Sequence, residues 1–317
     1  MECFQNDAPE YQVCMLTGLR GVGKTVCLTA VANEFRQDKN WLVADLSSER
    51  NLIDALVAEL AGHQGFLSLL KNAKLKLSAF GLGLELGTRE QIKDNAVVLD
   101  RILAKLTENG KRVLVTLDEA VPNRFVREFV SQFQIYIRKN YNVFLLMTGL
   151  HENIYDLQNA KTMTFLYRAP KIVLGPLNMW LIEANYQKVF GLSDKDAHTM
   201  AVLTKGYPYA FQLLGYLCFK EQKKCDDVLL EFDAYLGEYV YDKIWTELSS
   251  MDKKVLHAMA KSNNFKVNTI RQMVNMESST FSVYRQRLLK KGILSVPEYG
   301  CLDFVLPRFK EYVEKME

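Results

Sequence analysis

Residues 18–25 read Gly18-Leu19-Arg20-Gly21-Val22-Gly23-Lys24-Thr25, a complete match to the pattern G-x-x-x-x-G-K-[ST]. Glycines at these positions let the backbone turn so tightly that successive N–H groups point inward, and a helix starting behind them adds its positive end. The loop therefore suits an anion of high charge, such as a nucleoside triphosphate. Lys24 is placed to reach β- and γ-phosphate oxygens. The Thr25 hydroxyl is a ligand type for Mg2+, whose other positions go to phosphates, water and a carboxylate. Val26 opens the helix expected over Val26–Arg36 and completes the nucleotide-binding stretch. The alternative is an ordinary glycine-rich strand-to-helix turn, which the flanking strand and helix disfavour.

A second element supports the first. Arg112–Glu119 reads RVLVTLDE, an apolar strand ending in two adjacent acids. Asp118 is expected to hold the metal through water, and Glu119 to polarise the attacking water as general base. Acids at a strand end are usually solvated turn residues when they stand alone, and the glycine loop is what gives this pair a functional reading. A third strand runs Phe144-Leu-Leu-Met-Thr148-Gly149-Leu150. Thr148 fits a hydrogen bond to the lytic water or the γ-phosphate, and equally fits a capping hydroxyl before the next loop.

Such residues need a scaffold that brings several strand ends together. The first 170 residues alternate short apolar runs with helical patterns, the signature of a parallel sheet covered by helices. Expected strands are Val13–Thr17, Trp41–Asp45, Val113–Asp118, Val143–Thr148 and Ile172–Leu174. Each ends in a polar or glycine-containing turn, where open α/β sheets place their ligands. Between the second and third lies Lys74–Leu86, in which apolar residues alternate with period two around Gly81, so a β-hairpin insertion is expected at about 74–87. Gly81, Gly83 and Gly87 do not have the spacing of a dinucleotide fingerprint. From Leu177 to about Leu248 the pattern is helical and rich in aromatics, broken at Lys205-Gly206-Tyr207-Pro208. From Ser249 three short helices are expected (Asp252–Lys261, Asn268–Val274, Ser278–Lys291). Two strands follow, Ile293–Val296 and Cys301–Leu306, turning at Glu298-Tyr299-Gly300. The fold class is thus α/β: a P-loop NTPase sheet domain (1–176), a small helical lid domain (177–248) and a C-terminal winged-helix domain (249–317).

Composition narrows the classes further. The chain has 317 residues, 49% hydrophobic and 24% charged, which excludes disorder, collagen and a disulfide scaffold. Six cysteines (3, 14, 27, 218, 225 and 301) form no Cys-x-x-Cys pair and no zinc spacing, so reduced thiols are expected. The polar N-terminus is unlike a secretory signal, and no apolar run reaches membrane-spanning length, so a cytoplasmic location is expected. The net charge of +3 is uneven: residues 249–317 carry 12 Lys and Arg against 7 Asp and Glu, leaving 28 against 30 for the rest.

Taken together, Gly18–Thr25, LDE at Leu117–Glu119, MTGL at Met147–Leu150, FLYRAPKIVLGPL at Phe165–Leu177, KGYPYAFQLLG at Lys205–Gly215 and the C-terminal winged helix give a resemblance over nearly the whole chain. The chain resembles the AAA+/STAND-type P-loop ATPases, specifically the bacterial and archaeal ATPase group related to origin-recognition initiators. The resemblance implies an ATP-binding, ATP-hydrolysing switch protein using ATP and Mg2+. Thr148 then falls at the sensor-1 position, and Arg168 falls where initiators carry an arginine that contacts a neighbouring subunit's γ-phosphate. A guanidinium there neutralises transition-state charge, and a structural salt bridge is the equal alternative for Arg168. The segment Gly206–Pro208 looks like the G-x-P motif by which a lid proline, here Pro208, lines the nucleotide base. It also reads as a helix start with proline in the first turn, and both can hold. Two departures stand out. No arginine occupies the sensor-2 region, where Gly206-Tyr207-Pro208-Tyr209 stands instead, which tilts the match toward the STAND side. Relatives also begin with an additional segment that helps hold the adenine. Here the first strand starts at about residue 13, so either an upstream piece precedes this sequence or nucleotide binding is impaired.

Three helices with a two-stranded wing form the winged variant of helix-turn-helix, whose third helix can lie in the DNA major groove. In Ser278–Lys291, Phe281, Leu288 and one of Tyr284 or Leu289 are expected to face inward. Ser279, Ser282, Arg285, Gln286, Arg287 and Lys290 are the candidate contacts to duplex DNA. Winged helices also dock proteins or close over nucleotide, and +5 over this stretch is modest for a DNA binder. Three functional readings therefore stand together: a nucleotide switch, a DNA-binding regulator or initiator with little ATP turnover, and a signalling scaffold that forms homo-oligomers or recruits a protein partner.

Overall fold

A computed structural model of the chain describes Phe4, residues 9–64, Phe66, residues 94–160 and residues 163–316. The expected hairpin at about 74–87, with Gly81, Gly83 and Gly87, lies outside the described residues. The chain divides into two compact units. One comprises the residues up to Thr17 together with Lys24–Val173, and the other Gly18–Gly23 together with Leu174–Glu317.

The first unit is built on five parallel strands, β1 (Val13–Thr17), β2 (Trp41–Ser47), β3 (Arg112–Asp118), β4 (Val143–Gly149) and β5 (Lys171–Val173), in the spatial order β2-β3-β4-β1-β5. These runs are dominated by β-branched and other apolar residues with almost no exposed positions in β1 and β4, the pattern of strands covered on both faces. Alternation then sorts the side chains. Val13, Met15, Val113, Val115, Leu117, Val143, Leu145 and Met147 enter one core, while Cys14, Leu16, Leu114, Phe144 and Leu146 enter another on the opposite face. Helix α1 (Lys24–Gln37) covers the second face with Leu28, Ala32 and Phe35. Helices α2 (Leu52–Gly62), α3 (Asn95–Glu108), α4 (Arg124–Arg138) and α5 (His151–Asn159) supply the first.

This order has a consequence for chemistry. β4 lies between β1 and β3, with Leu16 beside Thr148 and Leu117 beside Met147. The ends of all three strands, and the loops that follow them, therefore open on one edge of the sheet, where α/β folds bind ligands.

The second unit is helical except for a short wing. Helices α6 (Met179–Phe190), α7 (Asp194–Thr204), α8 (Pro208–Glu221) and α9 (Leu229–Leu236) are followed by a π-helical turn at Gly237–Tyr241 and the short α10 (Asp242–Thr246). Then come α11 (Ser250–Lys261), α12 (Val267–Met273), α13 (Ser278–Lys290), the antiparallel pair β6 (Leu294–Ser295) and β7 (Asp303–Phe304), and α14 (Phe309–Lys315). α11 starts with a capping box, Ser249 and Asp252 each accepting from the other's backbone N–H. Phe281 and Leu288 are buried at helical spacing, with Tyr284 and Leu289 packed beside them, as the periodicity predicts. One hydrophobic core runs through the unit from Ile182 to Val313, so residues on both sides of the boundary expected at 248/249 are continuous in their packing.

Candidate functional site

Within the first unit, four of the predicted residues meet at the carboxyl ends of β3 and β4 and the start of α1. The Thr25 hydroxyl donates to Asp118 Oδ2 at 2.7 Å. The Thr148 hydroxyl donates to the other carboxylate oxygen of Asp118 and accepts from the Glu119 backbone N–H at 3.0 Å. Both carboxylate oxygens are thus aligned by hydroxyls, and Thr148 is fully buried while doing so. Thr148 thereby links the carboxylate of Asp118 to the backbone of Glu119.

Glu119 itself is exposed and sits at φ 48°, in the left-handed region that a non-glycine residue rarely occupies. Such backbone costs on the order of 1 kcal/mol and persists only where the surroundings enforce it. The enforcement is visible. Its N–H is shared between Thr148 and Asp118, its carbonyl accepts from the Ser48 hydroxyl at 3.3 Å, and the next N–H, of Ala120, donates to the Thr148 carbonyl at 2.7 Å. The two adjacent acids therefore differ in setting: Asp118 meets Thr25 and Thr148, and Glu119 is exposed.

Lys24 is the first residue of α1, whose first turn carries no acid. The helix end is thus left positive for an anion. Val26 is 73% exposed on the same turn. The donor set fits Mg2+, since a threonine hydroxyl and a carboxylate are hard oxygen ligands lying side by side. Among the described residues no three His, Cys, Asp or Glu converge on a metal position. A cation here would complete its shell with water or phosphate oxygens.

The glycines of the phosphate loop, Gly18–Gly23, make their contacts in the second unit. Arg20 pairs with Glu247 at 2.9 Å, so its side chain is committed to protein rather than to phosphate. Gly21 has φ 73°, and a Cβ there would lie 2.1 Å from the Tyr207 hydroxyl, which leaves room for glycine only. Pro208 is the first residue of α8, as the helix-start reading predicts.

Sequence reasoning missed His151. It opens α5, and its Nδ1 lies 3.2 Å from the hydroxyl of Thr17, the fully buried residue that feeds the phosphate loop. Burial first, then the positive charges of Lys171 and Lys24, hold the imidazole below its usual pKa. The only sign in the sequence is its position three residues after Thr148. Arg168 does not join the cluster. It is exposed at the end of the short 3-10 turn Thr164–Arg168, before β5 begins, on the edge of the sheet away from the strand ends that gather Thr25, Asp118 and Thr148.

On α13, Ser279, Ser282, Gln286 and Lys290 are exposed at helical spacing along one face. Arg285 is half-buried. Arg287, expected on the outward face, instead turns inward. Its Nε donates to Asp252 Oδ1 at 2.9 Å, its Nη2 donates to the Ser249 hydroxyl at 2.6 Å, and the guanidinium stacks over Tyr284. Asp252 is 1% exposed, and a buried carboxylate demands a cation; periodicity carries no sign of that demand.

Residues 238–313 match the family described as "Domain of unknown function (DUF8462)". No curated protein matches the chain. Among solved structures, a Walker-type ATPase of Pyrococcus abyssi is similar over 98% of this chain and 93% of its own, with 18% identity and a TM-score of 0.68. The Aeropyrum pernix ORC2 protein, solved in ADPNP–ADP complexes, is similar over 96% of this chain and 87% of its own, with 11% identity and a TM-score of 0.59. The fold is that of these archaeal P-loop ATPases: a five-stranded parallel sheet covered by helices, followed by a helical region, as the sequence predicts. No helix among the described residues is long and apolar enough to cross a membrane.

Proposed function

We propose that the chain binds ATP with Mg2+ on Gly18–Thr25 and hydrolyses it, the nucleotide state governing the disposition of the winged helix. The observation that carries this reading is the Thr25–Asp118–Thr148–Glu119 linkage behind a complete phosphate-loop motif. The loop N–H groups and the α1 N-terminus hold the phosphates, and Lys24 reaches the β- and γ-phosphate oxygens. Thr25 and Asp118 are the residues that hold Mg2+, which when bound neutralises phosphate charge. Glu119 orients the attacking water and accepts its proton, while Thr148 keeps its backbone aimed. Pro208 lines the base. Arg168, away from these groups in its own chain, serves a neighbouring copy.

Titration with MgATP tests this. Wild type binds, Lys24→Ala does not, and equal affinity in the two proteins would overturn the reading.

A second reading is favoured by the exposed row Ser279, Ser282, Gln286 and Lys290, which presents hydroxyls, an amide and a cation on one helix face. Such a face suits duplex DNA, with phosphates positioned by Lys290 and base edges met by the hydroxyls and the amide. Duplex affinity that does not fall as salt rises would exclude it.

A further inference from the structure

Within the second unit, the loop Gly18–Gly23 is tied to the start of α8. The Tyr207 hydroxyl donates to the Arg20 carbonyl at 2.6 Å, and the Tyr209 N–H donates to the Gly21 carbonyl at 3.2 Å. A peptide group is planar, so fixing a carbonyl fixes the N–H on its other side. The Arg20 carbonyl shares its plane with the Gly21 N–H, and the Gly21 carbonyl shares its plane with the Val22 N–H. Two of the amides that would face a phosphate are thus aimed by the segment Tyr207–Tyr209. Tyr207 is 4% exposed, so its ring cannot swing aside without opening the core.

The same segment reaches the wing. Lys205, two residues earlier at φ 46°, donates its ammonium to the Phe304 carbonyl at 2.8 Å and pairs with Asp303 at 3.1 Å, both residues of β7. Gly206 between them is rigidly placed. Its φ is 72°, a Cβ there would lie 2.7 Å from the Leu177 carbonyl, and its own carbonyl accepts from the Leu177 N–H at 2.7 Å. A second strut runs directly from the loop. The Leu19 side chain lies against Gly292, just before β6, where an added Cβ would be 3.2 Å from it. β7 and Gly292, which precedes β6, are therefore connected, through Lys205 and Leu19 respectively, to the loop expected to hold phosphate or to the segment that aims it.

We propose that Tyr207 is a positioning residue of the phosphate loop and that Lys205–Tyr207 reports the loop's occupancy to the wing. Phosphates arriving on the Gly21 and Val22 amides pull these peptide planes toward the anion. The Arg20 carbonyl then moves with its plane, and the Tyr207 hydroxyl either follows or loses its acceptor. Gly206 is too tightly held to absorb the displacement, so it passes to Lys205 and β7. This deepens, and rests on, the nucleotide-binding reading above.

The test uses the full chain and compares wild type with Tyr207→Phe, which removes one oxygen, and Lys205→Met, which removes the exposed tie to β7. MgATP and MgADP affinities are measured by titration, and hydrogen exchange of the amides in Leu294–Phe304 is followed with and without nucleotide. In wild type, nucleotide changes exchange across the wing. Tyr207→Phe weakens nucleotide binding by about tenfold or less, the scale of one lost hydrogen bond, and abolishes the change at the wing. Lys205→Met leaves affinity within about twofold of wild type and also abolishes it. Retention of the wild-type exchange response in either variant, or binding by wild type with no response at the wing, overturns this inference while leaving the nucleotide reading intact. Failure of wild type to bind nucleotide removes the nucleotide reading itself.

Discussion

The hydroxyl of Thr25 and the carboxylate of Asp118 lie 2.7 Å apart although 93 residues separate them in the chain. Two elements that look independent in the sequence, a glycine loop and an acidic strand end, are joined by a hydrogen bond of the length expected for a charged acceptor. The same carboxylate reaches Thr148, so one acid links the ends of β3 and β4 to the start of α1.

Replacing Asp118 by Asn keeps the shape and removes the charge. Both hydroxyls lose a charge-assisted bond, each worth roughly 1.5–3 kcal/mol at most and less where water screens it. Nucleotide affinity is expected to become nearly independent of Mg2+, read by titrating ATP with and without the ion. An unchanged Mg2+ dependence would exclude Asp118 from the metal's shell.

Glu119→Gln is expected to keep MgATP binding and slow hydrolysis by about 10²-fold or more, the usual scale for a lost general base. Single-turnover phosphate release measures it. The backbone at φ 48° is held by Thr148 and Ser48, so the fold should be unaffected.

His151 should make stability pH-dependent. Its folded-state pKa is lowered, so the unfolded chain binds the proton more readily. Its contribution is full above the unfolded value of about 6.5 and declines as pH falls through that value toward the folded one. Urea midpoints at about pH 7.5 and pH 5.5 should converge in His151→Gln relative to wild type. An equal loss in both proteins would show that the Thr17 contact is indifferent to protonation.

Asp252 anchors both the cap of α11 and the guanidinium of Arg287. Asp252→Ala takes the carboxylate from that arginine, which keeps Ser249 and Tyr284, and removes half of the capping box; it should cost about 3 kcal/mol, below the upper range for buried pairs because Arg287 is partly exposed. Arg287→Ala should be nearly as costly, since it strands a buried carboxylate. Chemical denaturation of the two single variants and the double variant tests this. Additive losses would mean that the two residues are not coupled.

If the α13 face meets duplex DNA, Lys290→Ala should lower the slope of log affinity against log salt by about 0.9, the value of one phosphate contact. The same substitution at Lys261, exposed at the end of α11, serves as the comparison. Equal effects from the two would point to diffuse attraction rather than docking of this face.

Much of this architecture was legible along the chain, because local rules wrote it there. Apolar runs too short for helices, each ended by glycine or a charge, located β1 to β5 within a residue or two, and Pro208 marked a helix start by chemistry that acts over one turn. The motif Gly18–Thr25 was legible because a backbone folded this tightly needs glycine at positions such as Gly21, where φ is 73°. What only the tertiary structure decided were the pairings between distant side chains. Thr148 could have been a cap or a functional hydroxyl until β4 was seen between β1 and β3, where its hydroxyl meets Asp118 and the N–H of Glu119. Arg287 looked like any outward cation on α13 until a buried carboxylate drew it in. Tyr207 read as the middle of a lid motif, with nothing nearby in the chain to say that its hydroxyl closes on Arg20, 187 residues away. Spacing along a chain fixes which residues share a helix face or a strand side. Which of them meet across elements depends on strand order and on where buried polar groups must find partners, and neither is a local property.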